Sequence, residues 1–83
     1  MQCFVYKSLR RAETYVYLRA ADALDVLPAP IAEQLGKLAF VLEIDLASKR
    51  KLARENVDEV MVNLNGQGYH LQFPPPPLVE GSD

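Results

Sequence analysis

The sequence has little of what metal sites and disulfides need: among its 83 residues there are one cysteine, Cys3, and one histidine, His70. One thiol cannot form an internal disulfide, and one thiol with one imidazole gives too few soft ligands for a four-coordinate zinc site. We therefore expect a fold that requires no metal and no oxidising compartment, and the sequence predicts no cofactor.

Long hydrophobic runs are also absent. The longest stretch of aliphatic and aromatic residues, from Leu38 to Leu42, has five members, whereas a helix needs about 20 to cross a bilayer. The first residues do not form the apolar segment of a signal peptide, because Lys7, Arg10 and Arg11 follow at once. We expect a cytoplasmic protein that does not enter a membrane.

What is present is the composition of a small globular domain. Hydrophobic residues make up 49% of the chain and charged residues 24%, which is the balance of a chain that buries a core. A chain of this length supplies one core and not two. We predict a single domain over residues 1–77 and a flexible C-terminal tail over residues 78–83.

Charge is unevenly distributed along the chain. The net charge is −2, which argues against a dedicated nucleic-acid binder. The basic residues nevertheless gather in two segments, residues 1–19 and 49–54, separated and followed by acidic stretches. The protein could therefore have a local basic surface although its net charge is negative.

The first third of the chain predicts a β-hairpin. Residues 3–7 and 14–19 are short runs rich in β-branched and aromatic types, and residues 8–13 between them, which include Arg10 and Arg11, predict a basic loop. The register across this hairpin is not visible in the sequence. Whether Tyr6, Tyr15 and Tyr17 share one face of the sheet is therefore left open.

The middle of the chain predicts a short helix and then a strand. Pro30 suits the first turn of a helix, Ile31 and Leu35 share one helical face, and Gly36 suits its end. Residues 37–46 then alternate, which predicts a strand buried on one face and increasingly polar on the other. The predicted buried set is Leu38, Phe40, Leu42, Ile44 and Leu46.

The strongest local signature belongs to a second helix. Asn56 followed three residues later by Glu59 fits a helix N-cap, and the apolar residues recur at helical spacing. Those residues are Val57, Val60, Met61 and Leu64. Glycines end this helix, residues 69–73 form a last strand, and the four prolines after them cannot continue a sheet ladder.

These elements predict an α+β domain of order β-β-α-β-α-β. We expect a mainly antiparallel sheet with two or three short helices packed on one of its faces.

Several segments of the sequence also resemble a known family. They are the ending Gly68-Tyr69-His70-Leu71-Gln72-Phe73 with its four prolines, the preceding Arg50-Lys51-Leu52, the N-terminal Cys3-Phe4-Val5-Tyr6-Lys7-Ser8 and the pair Thr14-Tyr15-Val16-Tyr17. Together they resemble the YcgL family of small gamma-proteobacterial proteins over residues 3 to 77. The resemblance implies a small α/β domain whose biochemical role is not established, and it brings no catalytic residues.

The residues that could carry chemistry have simpler structural explanations. Cys3 and His70 could form a nucleophile and its base only if their strands met. A buried structural cysteine and a half-exposed strand histidine are expected instead. Glu43 and Asp45 are neighbours on one strand face and are expected to be solvated. We therefore predict no catalytic residue and no enzyme activity.

Two kinds of binding function remain. We favour a non-catalytic interaction or regulatory module with a protein partner that the sequence does not identify. The alternative is a module that binds single-stranded RNA weakly, with bases stacked on strand tyrosines and phosphates held by basic side chains. The candidate surface residues for either function are Tyr6, Arg10, Arg11, Tyr15, Tyr17, Lys49, Arg50, Lys51 and Arg54.

The ligand counts generate a direct prediction. Thermal unfolding curves recorded with and without a chelator, and with and without a reductant, should overlay, because neither a metal nor a disulfide contributes to folding. A fall of several degrees in the melting temperature on adding the chelator would contradict this expectation.

Overall fold

The computed structural model describes residues 1–47 and 56–74. Its strands are β1 (Gln2–Ser8), β2 (Tyr15–Leu18), β3 (Leu38–Asp45) and β4 (Tyr69–Gln72). Its helices are α1 (Ala29–Leu35) and α2 (Val57–Gly66), and a single 3-10 turn, Leu24–Val26, precedes α1. The predicted α+β class and the order β-β-α-β-α-β are confirmed. The predicted tail, residues 78–83, lies outside the described residues.

The four strands form one antiparallel sheet in the order β3-β1-β2-β4. The hairpin strands β1 and β2 are therefore central, and β3 and β4 are the two edges. Between β1 and β2, Val5 lies opposite Tyr17 and Tyr6 opposite Val16. Because opposed residues in an antiparallel pair point to the same side, this register assigns every strand residue to a face.

Each face of the sheet has its own hydrophobic cluster. The Cys3 face carries Cys3, Val5 and Tyr17, and α2 covers it with Val57, Val60 and Leu64. The Tyr6 face carries Tyr6, Val16, Leu18 and Tyr69, and Leu27 and α1 cover it, the helix with Leu35. The prediction that the helices share one face is wrong. The central hairpin carries apolar side chains on both faces of the sheet, and each face is therefore covered by a helix of its own.

The prediction that β3 alternates regularly is also wrong, because a β-bulge interrupts it. Val5 pairs with Leu42 and Tyr6 pairs with Phe40, so Val41 is one residue more than β1 can match. The bulge moves Leu38 and Phe40 to the Tyr6 face and Leu42 and Ile44 to the Cys3 face. The five residues predicted to share one buried face are thus divided between two.

Helix α2 begins and ends as the sequence predicts. The Asn56 side chain accepts a hydrogen bond of 3.0 Å from the backbone N–H of Glu59, and Gly68, with φ of 89°, supplies the left-handed turn into β4. In the part of the chain that the structure describes, no helix has the length and apolar character needed to cross a membrane.

The packing of α2 gives a prediction with an internal control. Leu64 is fully buried, whereas Val62 on the same helix is 66% exposed. Leu64→Ala should lower the free energy of unfolding by about 2–5 kcal/mol, because it leaves a cavity. Val62→Ala should change it by about 0.5 kcal/mol or less. Urea unfolding measures both values, and equal losses would mean that the helical face is assigned wrongly.

Candidate functional site

The candidate site is a group of three exposed apolar residues on edge strand β3. Phe40, Val41 and Leu42 are 57%, 41% and 43% exposed, and we call them the β3 edge strip. β3 pairs with β1 on one side only. An edge strand of this kind presents unpaired backbone N–H and C=O groups beside its side chains.

The bulge explains why the β3 edge strip is exposed. Phe40 contacts Tyr6 edge-on, with 5.6 Å between the ring centroids, but it has left the row that α2 covers. Leu42 lies on the α2 side of the sheet, in the outermost strand. The sequence contains one signal of this arrangement: residues 38–42 are all apolar, whereas a strand with one solvated face would place polar residues at positions 39 and 41.

The acidic end of β3 lies next to this strip. Glu43 and Asp45 follow it on the same strand and are exposed. Glu43 accepts a hydrogen bond from the Gln2 amide, and Asp45 accepts one from the N-terminal ammonium group at 3.1 Å. The expectation that both carboxylates are solvated is confirmed. Two exposed acidic side chains therefore lie directly after the β3 edge strip on the same strand.

The three candidate tyrosines do not form a common platform. Tyr6 and Tyr17 lie on opposite faces and are only 5% and 6% exposed. The Tyr6 hydroxyl accepts a 2.9 Å hydrogen bond from the Asp22 backbone N–H, and the Tyr17 hydroxyl donates one of 2.7 Å to Gln72. Tyr15 is half-buried on the Tyr17 side. Two of the three rings are therefore core residues that cannot stack with bases.

The candidate basic residues of the hairpin loop are exposed, but one of them has a structural role. The Arg10 guanidinium donates a 2.6 Å hydrogen bond to the carbonyl of Glu33, near the end of α1. The Ser8 hydroxyl donates to the Leu35 carbonyl at 2.6 Å and accepts from the backbone N–H of Arg11. The loop is thus fastened to α1, and its contact with a partner stays a prediction.

The second basic segment was predicted to contribute four side chains to the same surface. Lys49, Arg50, Lys51 and Arg54 lie outside the described residues, so their position relative to the hairpin loop stays a prediction.

Cys3 and His70 do not form a catalytic pair. Val5, Tyr17 and His70 occupy one row across β1, β2 and β4, so the strands of Cys3 and His70 are two strand spacings, about 10 Å, apart. His70 is 6% exposed, contrary to the half-exposed position predicted for it. Its Nδ1 lies 2.8 Å from the Asn63 side-chain nitrogen, and its ring contacts Tyr17 edge-on. It belongs to the contacts between β4 and α2.

The thiol of Cys3 is fully buried, as predicted. Burial raises the pKa of this thiol from its ordinary 9.0 to about 11, and a backbone hydrogen bond with Leu18 offsets only part of that effect. Within residues 1–47 and 56–74, no three histidine, cysteine or acidic side chains are grouped closely enough to hold a metal ion.

The buried thiol gives a prediction about reactivity. At pH 8 the folded protein should be alkylated by iodoacetamide about 100-fold or more slowly than the unfolded protein, because a pKa higher by about two units lowers the thiolate fraction by that factor. The unfolded chain in urea is the control. Rates within about tenfold of each other would instead indicate an accessible thiol whose pKa is not raised.

Comparison with known proteins agrees with the resemblance noted in the sequence. The YcgL domain matches residues 3–75. A YcgL domain-containing protein of Thioalkalivibrio sulfidiphilus is 44% identical over 75 residues, which cover 90% of this chain and 93% of that protein. Relatives with the same description in Pseudomonas entomophila and Ectopseudomonas mendocina are 43% and 45% identical over 74 residues, which cover 89% of this chain and 76% of each relative. The chain belongs to the YcgL domain family.

Proposed function

We propose that this protein is a non-catalytic interaction module of the cytosol and that the β3 edge strip binds a protein partner. The observation that carries the proposal is the exposure of three consecutive large apolar side chains, Phe40, Val41 and Leu42, on a strand whose outer edge is free within the described sheet. An extended segment of a partner can join a sheet at such an edge. Its backbone pairs with the unpaired N–H and C=O groups, and its side chains contact the exposed apolar side chains.

The other edge of the sheet is less suited to this role. Strand β4 has four residues, of which Tyr69, His70 and Gln72 are buried, and Pro74 follows shortly after it. A proline has no N–H to donate to a neighbouring strand. Strand β3 has eight residues and a mostly exposed surface. The asymmetry favours β3 as the docking edge.

The bulge and the charges of β3 define the kind of segment that fits. An added strand can pair regularly with residues 42–45 and would need its own irregularity to continue past Val41. Glu43 and Asp45 would lie beside it, so basic side chains in the partner are favoured. We therefore expect an extended partner segment with apolar residues followed or preceded by lysine or arginine.

The proposal that the module is non-catalytic is supported by the positions of its reactive groups. Cys3 is buried with a raised pKa, His70 packs between β4 and α2, and neither lies next to the other. A nucleophile without an adjacent base and without solvent access has no means of activation.

The RNA-binding alternative has less support. Tyr6 and Tyr17 are buried on opposite faces, so the stacking residues it requires are not exposed together. The basic side chains could still contact phosphates, and such binding would depend steeply on salt. Nuclease treatment and salt therefore separate this alternative from the protein interaction.

We predict that substitution in the β3 edge strip removes partner capture. The affinity-tagged chain would be used to capture proteins from a lysate of Pseudomonas entomophila, which has one of the relatives described above. Phe40→Lys and Leu42→Lys should each lose a partner that the unchanged chain retains, because each replaces an exposed apolar side chain at the docking edge by a charge, Phe40 on the Tyr6 face and Leu42 on the Cys3 face. Quantitative mass spectrometry measures the loss.

The matched control is Val62→Lys, which adds the same charge at an exposed apolar position of α2. This variant should retain the partner, and circular dichroism should show that all three variants are folded. Retention of the partner by Phe40→Lys and Leu42→Lys would contradict the proposal. Loss of capture from the unchanged chain on nuclease treatment would favour RNA instead.

A further inference from the structure

A second surface, separate from the β3 edge strip, lies where the hairpin loop meets the elements covering the Tyr6 face. It is a groove of about 370 Å³, near the lower end of the range of about 300–1,000 Å³ for ligand pockets. We call it the loop groove. Its lining residues are Leu9, Leu24, Leu27, Ala32, Gly36, Lys37 and Leu38.

Most of the residues that line the loop groove are apolar. Leu27 is buried, whereas Leu9 and Leu24 are 59% and 37% exposed. Leu9 is held there by its backbone, since its N–H donates a 2.9 Å hydrogen bond to the carbonyl of Lys37. In a complex, apolar side chains around a pocket shield the anchor side chain that fills it from water, and Leu9 and Leu24 are placed to do so.

Lys37 is the one charged residue among the described residues that line the groove, although the exposed Asp25 and Glu33 directly follow the lining residues Leu24 and Ala32 in the chain. Lys37 lines the groove, its side chain is exposed, and within the described residues it forms no ion pair. The Arg10 side chain packs closely over Gly36, the neighbouring lining residue. None of the described residues that line the groove is acidic. An apolar groove with a cationic rim selects an apolar group that is flanked by negative charge.

We propose that the loop groove binds an apolar anchor side chain, of the size of leucine or methionine, from an acidic peptide segment of a partner protein. A peptide fits better than a free small molecule, because small-molecule sites enclose most of their ligand and this groove is bounded by exposed side chains. The proposal does not depend on the β3 edge strip, and the two surfaces prefer partner segments of opposite charge.

The test uses the full chain and three labelled peptides of equal length. The first is Glu-Asp-Leu-Leu-Asp-Glu, the second has the same leucines flanked by lysines, and the third has the acidic flanks with serines in place of the leucines. Fluorescence anisotropy should show saturable binding of the first peptide, at least about tenfold tighter than the other two. NMR chemical shifts should place it at Leu9, Leu24 and Leu38.

Two substitutions make the test specific. Lys37→Glu should shift the ratio of the two affinities toward the lysine-flanked peptide by about tenfold. It leaves the backbone carbonyl that holds Leu9 unchanged. Leu24→Asp should weaken binding of the acidic peptide at least about tenfold. The controls are Lys7→Glu, the same charge change at an exposed position on the Cys3 face, and Val62→Asp on α2. Neither control should alter binding.

Three results would overturn the proposal. They are no saturable binding of the acidic leucine peptide at about 1 mM, equal effects of Lys37→Glu and Lys7→Glu, and chemical shift changes confined to the β3 edge strip. The last result would assign the peptide to the other surface, while loss of partner capture by Phe40→Lys tests that surface independently of the loop groove.

Discussion

The structure depends on one constraint: both faces of the central hairpin are apolar. Cys3, Val5 and Tyr17 point to one side, and Tyr6, Val16 and Leu18 point to the other. If either set stayed exposed to water, the folded state would lose about 1.5–3 kcal/mol of stabilising free energy for each large side chain. In this chain of 83 residues, one short helix covers each face of the hairpin. Its helices cover the central strands, and the outer strand β3 remains largely exposed.

This distribution of cover leaves the apolar side chains of the β3 edge strip exposed. The bulge at Val41 divides the apolar residues of β3 between two faces, so neither helix can bury them together. Bulges commonly protect edge strands from uncontrolled pairing. Here the bulge also limits regular pairing to a short length beside Glu43 and Asp45, which favours a partner of defined sequence. The hairpin loop is fastened to α1 through Ser8 and Arg10 and contributes Leu9 to the loop groove. The charged residue that lines this groove, Lys37, is basic, whereas the charged residues beside the β3 edge strip are acidic.

Local features of this fold could be predicted from the sequence, and long-range ones could not. The spacing of apolar residues and the Asn56 cap predicted α2. The succession of strands and helices along the chain followed from the spacing of apolar residues in each segment and from the positions of the prolines. Register, the bulge and the division of helices between two faces arise from pairing between distant segments. The burial of Tyr6 and Tyr17 could not be predicted for this reason: a tyrosine in a strand has the same local pattern whether it faces solvent or is buried under a helix, as these two are. His70 was underestimated as a core residue in the same way.

Amide hydrogen exchange of the chain alone and bound to its captured partner is the measurement that shows whether β3 is the docking edge. In an edge strand, alternate N–H groups point away from the sheet and exchange with solvent. If β3 is the docking edge, partner binding should slow exchange of those amides within Leu38–Asp45 and leave β4 unchanged. Slower exchange in β4 or α2, with β3 unaffected, would contradict the account.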